Sequence, residues 1–150
     1  MRLPELDGSR VRAAVGLAQE IYRLHEAGRP YAFELSQLSE ATGQHLVPAD
    51  ADGAFGSVAA ADWAHDLLAR LAGIPEDLTR ANLVEMVEAA QATVLPEWQF
   101  NWVIRCVEHV TNCADFVSIF DSPDRMSGAE MVDAAYAAQR RVLVTPPPEE

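Results

Sequence analysis

Residues 97–113 read EWQFNWVIRCVEHVTNC, and this stretch decides the fold. Placed at the roughly 100° steps of an α-helix, Trp98, Trp102, Cys106, His109 and Cys113 take one side, and Phe100, Val103, Ile104, Val107, Val110 and Thr111 cover the next. Polar residues are confined to a narrow stripe of Glu97, Asn101, Arg105, Glu108 and Asn112. A helix apolar over about two thirds of its circumference is a central, buried one. The spacing therefore predicts core here before it predicts a site.

The chemistry of the same residues agrees. Cys106 and Cys113 are about 10.5 Å apart along a helix axis at 1.5 Å per residue, too far to converge on a zinc ion with bonds of about 2.3 Å. That separation also excludes a disulfide, which needs Cα atoms within about 7 Å. Cys106 and His109 at i, i+3 could meet as a nucleophile pair, but no third group to orient the histidine is identifiable. No metal, cofactor or catalytic residue is assigned.

Outward from this helix the periodicity stays helical. Residues 9–27 place Val11, Ala14, Val15, Ala18, Ile21, Tyr22 and His25 on one face, with Asp7 or Ser9 to cap the start and Gly28 to close the end. Residues 31–42 repeat the pattern through Tyr31, Leu35 and Leu38 up to Gly43. The stretch GQHLVPADADGAFG, residues 43–56, reads as one long irregular loop. Its DADG does not make a calcium loop, because Pro48 and Ala59 fall where an acid and a bidentate Glu are required.

Ser57 is the expected cap of the next helix, which turns Trp63, Ala64, Leu67 and Leu71 inward and Asp62, Asp66 and Arg70 outward. A further helix is expected from Pro75, carrying Leu83, Met86 and Val87 inward and Glu85 and Glu88 outward. ADFVSIFDSPD, residues 114–124, breaks the periodicity and reads as a short strand or an extended loop. Ser127 and Glu130 then form the S-x-x-E box that starts a last helix to about Val142. The expected architecture is all-α, a single bundle of five or six helices over residues 1–144 with one short extended segment near 116–120 and a disordered tail at 145–150.

Composition narrows the function. The 150 residues carry a net charge of −12, and the charge is uneven: residues 31–100 hold two arginines against eleven acids, and no lysine occurs anywhere. Phosphate recognition draws on clustered Lys and Arg, so direct binding to nucleic acid or to an anionic membrane is not expected. A basic protein partner is the natural complement, with Asp62, Asp66, Glu85 and Glu88 as its representative contacts. MRLPELDGSR offers no apolar stretch for a signal peptide, no apolar run approaches a membrane span, and two cysteines are too few for a disulfide framework. These features point to the cytoplasm of a bacterium with a GC-rich genome, where alanine and arginine are favoured.

Residues 108–132, EHVTNCADFVSIFDSPDRMSGAEMV, run from a helix end through an Asp and a hydrophobic pair to a Pro and a capped helix. In that outline they are similar to the small acidic all-helical immunity proteins that block nuclease bacteriocins. Those proteins carry a tyrosine pair where Ile119 and Phe120 stand here, the likeness covers about a sixth of the chain, and no site residue is carried over from it.

The leading reading is thus a small acidic interaction module of inhibitor, immunity or adaptor type, leaning away from an enzyme. A second reading is a helical ligand-binding protein or enzyme whose pocket gathers His25, Trp98, Trp102 and His109. A third is a homo-oligomeric structural component, with some of the apolar surface serving as an interface.

Overall fold

A computed structural model describes residues 1–56 and 58–143 of the chain. Among them it forms eight helices and no strand: α1 (Gly8–Glu26), α2 (Ala32–Thr42), α3 (Pro48–Phe55), α4 (Ala60–Ala72), α5 (Arg80–Ala92), α6 (Glu97–Thr111), α7 (Phe116–Phe120) and α8 (Gly128–Leu143). The all-α expectation holds. Eight helices replace five or six because two short ones form where the sequence reads as a loop and as a strand. The Ser57 cap and the 145–150 tail lie outside the described residues.

The chain's contacts group into two compact units: Pro4–Gly73 with Pro96–Gln99, and Met1–Leu3 with Ile74–Leu95 and Phe100 onward. In the first unit, α1 lies against α2 and α4, and α3 touches α1 and α4. Ala14 and Ala18 on α1 and Ala64 on α4 are completely buried, and such small side chains let helix backbones come close. Ile21, Leu35, Leu38, Ala51, Trp63, Leu67 and Leu68 fill the rest of that core.

The ends of α1 follow the sequence signals. Asp7 accepts from the Ser9 and Arg10 amides at 2.9 and 3.0 Å. At the other end Gly28 takes φ 67°, so that its own amide reaches the His25 carbonyl and the Arg29 amide reaches the Leu24 carbonyl. α3 is the first correction. Pro48 stands at its first position and Asp50 reaches back to the Val47 amide at 2.8 Å, so residues that signal a turn here act as helix starters, and Ala51 is fully buried.

In the second unit α8 packs on α5 and α7. α5 begins at Arg80, five residues after Pro75, because Thr79 and Asn82 cap it reciprocally: the Asn82 amide donates to Thr79 Oγ1 at 3.2 Å and the Thr79 amide to Asn82 Oδ1 at 3.0 Å. α7 corrects the extended segment expected at 116–120. Asp115 accepts from Ser118, Glu108 accepts the Phe116 amide at 2.9 Å, and the fully buried Phe116 anchors the turn, so tertiary burial overrides β-leaning composition. The Ser127–Glu130 box caps α8 as read, with amide bonds of 3.1 and 3.2 Å.

On α6, Trp102, Val103, Ile104, Cys106, Val107 and Thr111 are buried, which makes it the core helix its pattern predicts. His109, on the same face as Trp102 and Cys106, is nonetheless exposed. Among the described residues no helix is long and apolar enough to cross a membrane.

Candidate functional site

The densest gathering of chemistry-bearing side chains lies in the first unit, where α1 ends and α2 and α3 begin. The last turn of α1 presents His25, Tyr31 stands at the start of α2, and α3 contributes Asp52 and Phe55. Asp52 Oδ1 accepts from the Tyr31 hydroxyl and lies 3.3 Å from each of Tyr31 Oη and His25 Nδ1. The His25 ring rests 5.4 Å from Phe55 and 6.1 Å from Tyr31, and Phe55 makes edge contacts with Tyr22 and Trp63 at 5.1 and 5.2 Å. Burial, reinforced by the Asp52 charge, raises the Tyr31 hydroxyl above its usual 10.0. The corner therefore holds a carboxylate that orients an imidazole and a phenol within an aromatic cluster.

Sequence reasoning singled out His25 but missed Tyr31, Asp52 and Phe55. Asp52 stands in DADG, a stretch that reads as loop, and no local spacing there indicates that α3 turns it toward α1.

The other expected pocket residues have partners of their own. Trp98 stacks on His65 at 5.2 Å, and His65 Nδ1 is held 2.7 Å from the Ala61 carbonyl, which makes Nδ1 the donor. In the second unit the Trp102 indole N–H donates to the Arg2 carbonyl at 3.1 Å, and the Arg105 guanidinium lies 5.9 Å from the Trp102 ring. His109 points to solvent. The ring contacts of His25 are with Tyr31 and Phe55, those of Trp98 with His65.

The expected partner-binding acids also divide. Glu85 and Glu88 are exposed on α5, with Glu85 2.8 Å from the Met1 amino nitrogen, and Asp62 is half-buried in the first turn of α4. Asp66 corrects the expectation of an outward side chain: it accepts from Arg70 Nε at 3.0 Å, one turn along the same helix, but is only 12% exposed, so it belongs to the inner side of α4. Glu85 and Glu88 lie in the second unit, Asp62 and Asp66 in the first.

Cys106 is fully buried, and desolvation pushes its thiol up to about 12, which removes the thiolate a nucleophile needs. Both cysteines are free, and among the described residues no group of three His, Cys, Asp or Glu side chains could hold a metal ion.

A groove of about 300 Å³ opens beside this corner, walled by Ala32, Leu35, Ser36 and Ser39 of α2 and by His45, Leu46, Val47 and Pro48. The Ser39 hydroxyl accepts the Leu46 amide at 3.2 Å and donates to the Leu35 carbonyl at 2.9 Å, so this hydroxyl is satisfied internally. Phe33, one helical step from Ala32, is 71% exposed. Its signal was present in the sequence, since Phe33 falls off the Tyr31, Leu35 and Leu38 stripe of α2. Compared with protein-family models, characterised proteins and solved structures, the chain shows no match.

Proposed function

We propose that this chain is a small acidic protein-interaction module, of inhibitor, immunity or adaptor type, that docks a basic protein partner in the bacterial cytoplasm. The observation that carries the reading is charge segregation. Between Arg29 and Arg70 the sequence holds six carboxylates and neither Arg nor Lys. Asp52 and Asp66 are engaged with His25 and Arg70, while among the described residues Glu34, Glu40, Asp50 and Asp62 have no cationic partner. Elsewhere arginines are already spent on internal acids, as in Arg2–Asp77, Arg23–Glu20 and Arg80–Asp133. The field left over is negative and suits a positive surface.

The test is recovery of the partner from the native host, followed by association kinetics at two ionic strengths for the wild type and for Glu40→Arg, Asp62→Arg, Glu85→Arg and Glu88→Arg combined. Asp66 is left intact because its reversal would bury a mismatched charge. Steering charges act on the association rate, so the variant should associate at least tenfold more slowly with little change in dissociation, and added salt should slow the wild type. An acidic partner, or kinetics indifferent to salt and reversal, would refute the reading.

The Asp52 link to His25 and Tyr31 favours a second reading, a ligand-binding or catalytic corner between α1, α2 and α3. A ligand screen by thermal shift tests it, since a ligand at 100 times its Kd adds about 2.7 kcal/mol of stability.

A further inference from the structure

We infer that the groove between α2 and the Leu46–Pro48 segment is the slot in which the basic partner places an aliphatic anchor, presented by an amphipathic segment whose other face is cationic. This deepens the docking reading above and rests on it. The groove offers a built apolar receptacle: Leu35 is buried beneath it, while Val47 is 42% exposed at its rim. Its volume of about 300 Å³ is at the small end of ligand pockets, the size for a few anchoring side chains rather than for a whole helix. Phe33 and Val47 are large apolar groups left facing solvent on adjoining segments, and such residues become energetically useful when a partner covers them.

Charge selects the occupant. The groove lies within the stretch from Pro30 to Ala69 that contains no Arg or Lys, with Glu34 and Glu40 on the same helix and Asp50 on the first turn of α3. A second copy of the chain is a poor occupant, since each copy carries −12. An apolar anchor flanked by arginines satisfies both the slot and its surroundings, in the manner of a helix laid into a groove.

The experiment uses the full chain, isotopically labelled, and a synthetic amphipathic peptide of about 16 residues with arginines on one face and leucines at helical spacing on the other. Two control peptides replace the arginines by glutamates or the leucines by serines. The amide signals of Leu46, Val47 and the first turn of α2 should shift on titration with the arginine–leucine peptide, and both controls should bind at least tenfold more weakly. Ala32→Trp, which fills the groove, and Val47→Ser, which strips its rim, should each weaken binding by the same order while leaving the melting temperature near that of the wild type. Two variants guard against a folding defect in either one. Charge-dependent binding that shifts residues elsewhere, or that ignores both variants, overturns the groove and leaves the acidic-docking reading standing. Equal binding of the glutamate peptide overturns both. A dimer seen by native mass spectrometry and lost in Ala32→Trp would show that the slot serves a second copy, which also overturns the inference.

Discussion

Trp102 is 1% exposed, and its indole N–H is used on the Arg2 carbonyl. Truncation to Ala removes the largest fully buried side chain of α6 and leaves that carbonyl without its donor. Urea unfolding should show a loss of about 3 to 5 kcal/mol. Near wild-type stability would mean that α6 is peripheral. Cys106 makes the complementary point about reactivity. With its thiol pushed up to about 12 and no exposed surface, it should resist alkylation by iodoacetamide at pH 8 in the native protein and react promptly once urea unfolds the chain. Fast native labelling of Cys106 would restore the nucleophile reading. Both expectations were legible from helical spacing, because Trp102 and Cys106 are i, i+4 neighbours on a helix whose apolar surface continues through Trp98, Val103, Val107 and Val110. The exposure of His109 was not legible, since spacing fixes the face a residue occupies but not how far along the helix that face stays covered.

At the scale of elements, α8 shows how local signals and packing divide the work. Its capping box was readable as S-x-x-E, and Ser127→Ala should cost about 1 kcal/mol in thermal or urea unfolding. Gly128, the next residue, carries a constraint invisible in sequence. A methyl group there would stand 2.6 Å from Glu88 Cγ and 3.1 Å from the Val84 carbonyl oxygen of α5. Glu88 can swing away, but the α5 backbone cannot. Gly128→Ala, which in an ordinary helical position would gain stability, should instead lose about 1 to 3 kcal/mol. A gain in melting temperature would mean that α5 and α8 are not in close contact. The elements misread in sequence, α3 and α7, are eight and five residues long. Helices that short have little periodicity to detect, and they owe their form to one buried anchor each, Ala51 and Phe116.

For the whole molecule, pH should bound stability on both sides. Hydrogen bonds from Ser9, Arg23, Arg2 and Arg80 hold the carboxyls of Asp7, Glu20, Asp77 and Asp133 below their ordinary values of 3.8 or 4.5. A depressed folded value means that the stabilisation is present above the ordinary value and is lost as pH falls through the folded one. Tyr31 works in the opposite sense. Its raised value favours the neutral phenol in the fold, so its contribution is present below 10.0 and is lost as pH rises through the folded value. Melting temperature followed by circular dichroism should be flat from about pH 5.5 to pH 9 and should fall on either side. The buried Cys106 thiol, raised from 9.0 to about 12, adds to the same alkaline fall, so Tyr31→Phe should lessen the limb without abolishing it; an unchanged limb would remove Tyr31 from the account.

The sequence by itself determined the helical class, the extents of α1, α2 and α6, the cap of α8 and the sign of the chain's field. These follow from periodicity, short-range capping and summed charge, each of which acts over a few residues or over none in particular. Tertiary structure alone decided that Asp66 is buried on the inner side of α4, that α3 forms and carries Asp52 to His25 and Tyr31, and that Leu46–Pro48 leaves a groove beside α2. Tyr31 and Asp52 are 21 residues apart, and no local propensity encodes such a meeting. It arises only when burying Ala51 against the α1 and α4 surface repays the entropy of ordering the chain between them.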